Sequence, residues 1–140
     1  MAMREPAPAD VLVALDARQH DLARRFDAVR ARTATLAAPI SAEDAMVQSM
    51  EDASPTKWHL AHTTWFFERF VLAEAPGHRA FDPAWDYLFN SYYQGIGPMH
   101  ARPRRGLLSR PTLAQIAAYR DAVEARMREQ LRAGTMDAHL

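Results

Sequence analysis

Residues 54–70 read SPTKWHLAHTTWFFERF, with His59 and His62 three apart among two tryptophans and three phenylalanines. Imidazole is the commonest protein metal ligand, and its pKa also suits proton transfer near neutral pH. A metal site needs two or three donors, so one ring alone does not make one. A histidine on an apolar helix can equally give one ring proton to a backbone carbonyl and serve the core. Both readings of His62 remain open from the residues. On a wheel of about 100° per residue, His59 and His62 point about 60° apart, which argues against their sharing one ion. A second cluster is HARPRRGLLSRP at 100–111, where Arg102, Arg104, Arg105 and Arg110 crowd together. Guanidinium forks match carboxylate or phosphate; a solvated basic loop is the plainer alternative. The tract NSYYQGIGP just before it could line a pocket or close the top of a bundle. His20, read as solvated beside Asp21, and His78, His100 and His139 complete no donor set, and there is no HExxH.

These residues need elements to hold them. Val11, Leu12, Leu15, Leu22, Phe26 and Val29 form a stripe that predicts a helix from Asp10 to about Thr35. Pro39 stops it, and Ser41 to Asp44 forms a capping box for a short helix. Ser54 followed by Pro55 predicts the start of a helix over 55–74. On its wheel Trp58, Trp65, Phe66 and Phe70 share one arc and Leu60, Phe67 and Val71 another. Ala61, Thr64 and Glu68 are left as a narrow water face, which makes this helix central. Arg69 lies above His62 inside the apolar arc and calls for a carboxylate, a carbonyl or a wet cavity. A short aromatic helix is expected near 84–93, then an irregular stretch long enough to be functional. TLAQ at 112–115 is a capping box opening a helix to about Ala133, with Gly134 as its stop. Thr135 could cap one further turn.

No segment reads as a strand. The fold class is all-α, with three long helices in a four-helix-bundle plan whose fourth helix is essentially missing. Residues 1–9 read as a lead-in and 10–140 as one helical domain. The 140 residues suffice for one core. Seventeen basic residues balance seventeen acidic ones, so no net charge draws the chain to nucleic acid or an anionic membrane. There is no cysteine, which excludes disulfides and thiolate sites. With no long apolar run, no membrane span or signal peptide is expected, and the cytoplasm is the expected compartment.

The blocks SPTKWHLAHTTWFFERFVL and YLFNSYYQGIGPMHARPRRGLLSRPTLAQIAAYRDAV resemble the N-terminal DinB-like domain of the ergothioneine-biosynthesis sulfoxide synthases, and RARTATLAAPISAEDAMVQSMEDASP fits the same family. The resemblance spans roughly residues 18–133. It implies a nonheme iron(II) enzyme that joins O2, hercynine and cysteine or γ-glutamylcysteine into a sulfoxide. It implies His62 as one of three histidine ligands, and Arg102 and Arg105 as holders of the thiol substrate's carboxylates. The family's other two ligands sit in an H-x-x-x-H-x-E motif on a fourth helix, and a large C-terminal domain supplies much of the pocket. Neither occurs in this sequence. The expectation is therefore a segment that is inactive alone and works with a C-terminal partner. The alternatives are another DinB-like, metal-dependent thiol transferase, or a non-catalytic module that self-associates through the open groove.

Overall fold

The structure is a computed structural model, and it describes residues 9–134. Its α-helices are α1 (Ala9–Ala37), α2 (Thr56–Phe70), α3 (Trp85–Phe89) and α4 (Leu113–Ala133). Tight 3-10 turns at Asp44–Met46, Leu72–Glu74, Gln94–Ile96 and Arg102–Leu107 punctuate the connections. The described residues contain no strand, and none of their helices is long and apolar enough to cross a membrane. The fold is all-α with three long helices. The lead-in up to residue 8, the Thr135 cap and His139 lie outside the described residues.

The helix ends follow local chemistry. Thr112 and Gln115 form the reciprocal capping box, each side chain accepting from the other's backbone N–H. Gly134 closes α4 in the left-handed conformation at φ 64°. A Cβ there would also fall 2.3 Å from Gln19 Nε2 on α1, a flexible side-chain end that can move aside, so it is the left-handed backbone that favours glycine. Ser41 Oγ accepts from Asp44 N–H, which starts the first 3-10 turn. Ser54 departs from expectation. Pro55 holds the α2 cap position, and the Ser54 hydroxyl accepts from Arg105 Nη1 at 2.9 Å instead. The short aromatic helix is limited to Trp85–Phe89.

α1 runs antiparallel to both α2 and α4. Arg30 meets Glu124 while Asp27 meets Arg128, and Phe26 packs edge-on against Phe67 at 5.1 Å. Between α2 and α4 lies the core of Trp58, Leu60, Trp65, Leu72, Ile116, Tyr119, Val123 and Met127, sealed by Trp85 and Phe89.

Two expectations about the buried faces fail. In α1, Val11, Leu12, Leu15, Leu22 and Val29 are 40–64% exposed, and the only buried residue is Arg30. In α2 the supposed water face is the innermost one: Ala61 and Thr64 are fully buried and Glu68 nearly so, whereas His59, Thr63 and Phe66 face out. The buried face is polar because its partners are distant in sequence. Arg30 Nη2 donates to Thr64 Oγ1 at 2.6 Å and its Nε to Glu124 Oε1 at 2.8 Å. Arg120 donates to the Leu60 carbonyl, and Tyr119 donates to Glu68 Oε2. Paired in this way, polar groups can be buried where an unpaired group would be costly. Among the described residues α4 ends opposite Gln19, so Val11, Leu12 and Leu15 run past it, while Leu22 and Val29 lie off the face that Phe26 and Arg30 turn to α2 and α4.

Candidate functional site

His62 sits midway along α2 with its ring between two indoles. It stacks on Trp58 at 4.6 Å and 12°, and on Trp65 at 5.7 Å and 22°. Its Nδ1 lies 2.6 Å from the carbonyl oxygen of Phe89, the last residue of α3. A carbonyl can only accept, so Nδ1 carries the proton and Nε2 keeps its lone pair. Burial lowers the ring's pKa and outweighs the opposing Phe89 bond; Arg105 and His59 lower it further. His62 is therefore held neutral, in one tautomer and one orientation. A carbonyl on the far nitrogen is how metal-ligating histidines are usually aimed.

Trp58 is the hub of this region. Its Nε1 donates to the Leu88 carbonyl at 2.9 Å, which docks α3 onto α2. The Arg105 guanidinium lies 3.5 Å from the indole centroid, so His62 and Arg105 share one aromatic platform. Arg105 is almost fully buried. Its Nη1 donates to Ser54, its Nη2 to the Asn90 carbonyl at 3.4 Å, and its Nε is buried with no partner. Burial and neighbouring Arg102 bring its pKa down to about 10. Arg102 lies farther out, its guanidinium 4.7 Å from the ring of Tyr92.

The irregular stretch after α3 carries these groups. Asn90 is buried, and its amide donates to the Tyr93 and Gly97 carbonyls, which ties the tyrosine tract into a loop. Tyr92 takes the left-handed conformation at φ 63°, rare for a non-glycine residue. Tyr93 joins Trp65, Phe66 and Phe70 in an aromatic cluster on the outer side of α2. Gln48 pins the arginine turn, donating to the Arg102 carbonyl at 2.8 Å and accepting from Gly106 N–H at 2.7 Å. A Cβ on Gly106 would fall 2.8 Å from Gln48 Cβ, so this contact requires glycine.

The other candidates separate. His59 is exposed and stands edge-on to Trp58 at 5.5 Å. His20 is exposed, as read, with Nδ1 on the Asp16 carbonyl. Arg69 finds its carboxylate only loosely, at 3.8 Å from Asp86 Oδ2. Among the described residues, no three His, Cys, Asp or Glu side chains converge as a metal-binding set.

Sequence reading missed a second polar cluster on another side of α2, where Glu68, Tyr119 and His78 meet. Glu68 Oε1 accepts from Phe81 N–H at 2.8 Å and stands 3.6 Å from His78 Nε2. Burial and the Glu68 carboxylate push the Tyr119 hydroxyl well above its usual pKa, so it stays protonated. Helix spacing could not reveal partners 51 positions apart. Arg30 did leave a trace, since it continues the Leu22–Phe26 spacing of four on the side of α1 that packs.

In comparison with known proteins, the profile of the DinB superfamily matches residues 25–140. A search of curated proteins finds no match.

Proposed function

The chain belongs to the DinB superfamily, and from that premise we propose that it contributes His62 to the iron site of a nonheme iron(II) sulfoxide synthase of the ergothioneine-biosynthesis type. The substrates of that reading are O2, hercynine and cysteine or γ-glutamylcysteine. The observation that carries it is the His62 ring, fixed through Nδ1 on the Phe89 carbonyl and leaving Nε2 as a neutral donor. Fe(II), when bound, supplies the O2-activating redox chemistry. One imidazole fits one position of such a site, and the remaining donors are to come from a further segment or a partner chain. This chain is therefore expected to be inactive by itself.

The residues around His62 have definite tasks in this reading. Trp58 and Trp65 cover both ring faces and keep water and protons from the imidazole. Arg102 offers the accessible fork for a substrate carboxylate. Arg105, bonded to Ser54 and Asn90 and laid on Trp58, adds positive charge and fixes the loop that presents Arg102. The aromatic platform and paired arginines favour this assignment over a generic DinB-like thiol transferase.

The test is an anaerobic Fe(II) titration by calorimetry, with and without a polypeptide bearing H-x-x-x-H-x-E. His62→Phe, which keeps a ring between the indoles, is the control. We expect weak binding by the chain alone and at least about tenfold tighter binding in the mixture, lost in His62→Phe. Equal binding by the variant would remove His62 from the site.

A further inference from the structure

α1 carries a second stripe that the core does not use. Val11, Leu15, Leu22, Val29 and Leu36 follow one another at spacings of four, seven, seven and seven, and each is 40–64% exposed. Arg18, Arg25 and Arg32, all exposed, fill the places between, three residues after Leu15, Leu22 and Val29. This is the a/d seam of a coiled coil, with apolar residues at a and, after Val11, arginines at d. On a wheel the seam lies within an arc of about 100°, roughly 90° round from the side where Phe26 and Arg30 pack. It runs about 38 Å along the helix, long enough for a facing helix of three to four heptads.

Five exposed aliphatic side chains in one line differ from the singly scattered apolar residues of an ordinary surface. The charges in that line are also unanswered. Among the described residues Arg18, Arg25 and Arg32 make no hydrogen bond or ion pair, although Arg24, Arg30 and Arg128 nearby all do. An arginine in a seam lays its stem on apolar neighbours and sends its head to a carboxylate on the facing helix. A helix with apolar residues and Glu or Asp at heptad spacing therefore answers both halves of the pattern. A second copy of this chain does not, because its seam brings three more arginines. Of the carboxylates on α1, Asp21 holds Arg24, Asp27 holds Arg128, and Asp16 lies beside His20 away from the seam. That leaves Asp10 against three arginines. A membrane surface fits less well, because the arginines interrupt the apolar line instead of flanking it.

We propose that the outer seam of α1 docks an acidic amphipathic helix, its apolar residues on Leu15, Leu22, Val29 and Leu36 and its carboxylates on Arg18, Arg25 and Arg32. The contact forms without iron and is independent of the His62 reading.

The experiment is fluorescence anisotropy of a labelled synthetic peptide of about four heptads, with leucine at a and glutamate at d, titrated with the purified chain. A peptide with lysine in place of each glutamate is the comparison. The glutamate peptide is expected to bind saturably, about tenfold tighter than the lysine peptide, and more weakly as salt rises. Arg18→Glu, Arg25→Glu and Arg32→Glu combined should invert the preference, so that the lysine peptide binds about tenfold tighter. Leu22→Ser with Val29→Ser should weaken the glutamate peptide by a similar factor. All five positions are exposed, so the variants keep the core, and circular dichroism checks that they fold. The proposal is overturned if the glutamate peptide shows no saturation, if the lysine peptide binds the parent chain as tightly, or if the folded charge-reversed chain keeps the parent's preference. Vesicles of equal phosphatidylserine and phosphatidylcholine that displace the glutamate peptide from the parent chain would assign the seam to a membrane and overturn it as well.

Discussion

α2 presents two polar side chains about 120° apart around its axis, and they are held in opposite ways. Glu68 has both oxygens engaged, by Phe81 N–H and the Tyr119 hydroxyl. His62 has one nitrogen engaged, by the Phe89 carbonyl. Around Glu68 the neighbours are Tyr119 on α4 and Phe81 and His78 from the stretch after α2, and one turn away Thr64 joins a network that ties α1, α2 and α4 together through Arg30, Glu124 and Arg120. Around His62 they are an irregular loop, a tyrosine at positive φ and an arginine with an unpartnered Nε. A satisfied buried group supports the fold, whereas a group with spare capacity is available for a ligand. On the proposed reading, Glu68 braces the fold and His62 serves the site.

The largest effect should come from breaking the brace. Glu68→Ala leaves the Tyr119 hydroxyl and Phe81 N–H buried without an acceptor. We expect a loss of about 3–5 kcal/mol by urea unfolding. Tyr119→Phe, which removes one bond and keeps the ring, should lose about 1–2 kcal/mol. Neither change should alter Fe(II) affinity of the assembled system once the protein is folded. A loss below about 1 kcal/mol for Glu68→Ala would show that the carboxylate is not a brace.

The next effect is on the imidazole side, and it is pH-dependent. Burial lowers the pKa of His62, and of His59 and His100 nearby. Their folded values therefore lie below the unfolded value of about 6.5. Such a base takes up its proton more readily in the unfolded chain, so stability rises with pH in this window. The contribution is complete above about pH 6.5 and is lost as pH falls from there through the lowered folded values. The urea midpoint should drop between about pH 7 and about pH 5, and the drop should be shallower in His62→Phe. Identical slopes in the two proteins would mean that His62 is not held neutral.

The same contrast explains what the sequence could reveal. The capping box at Thr112 and Gln115, the Gly134 stop and the bounds of α1 were legible because they depend on neighbours within a few residues. The class and the three long helices followed from periodicity. His62 stood out through a resemblance of its surroundings; its Phe89 partner, 27 residues away, was not legible. The orientation of α2 was inverted because a wheel assigns polar residues to water, whereas Thr64 and Glu68 meet Arg30 and Tyr119 across helix interfaces. Arg105 read as a substrate clamp, and its burial on Trp58 depends on a contact no local pattern encodes.

The smallest expected change in stability is at Tyr92, and it is the sharpest test of the contrast. This residue is 74% exposed, so its ring contributes little to the core. It nevertheless holds a left-handed backbone that a bulky residue adopts only at a cost of roughly 1 kcal/mol. Asparagine tolerates that conformation well, so Tyr92→Asn relieves strain. The same change removes the ring beside the Arg102 guanidinium, a contact worth about 0.5–1 kcal/mol at an exposed site. The two terms oppose each other, and the variant should unfold within about 0.5 kcal/mol of the parent chain. Binding should not share this cancellation. With its aromatic partner gone, Arg102 loses its fixed direction, and carboxylate-substrate affinity of the assembled system should fall about three- to tenfold. That pair of results would tie the strained backbone at Tyr92 to ligand binding rather than to the core. A destabilised Tyr92→Asn with unchanged substrate affinity would instead make Tyr92 part of the scaffold and narrow the site to His62 and its two indoles.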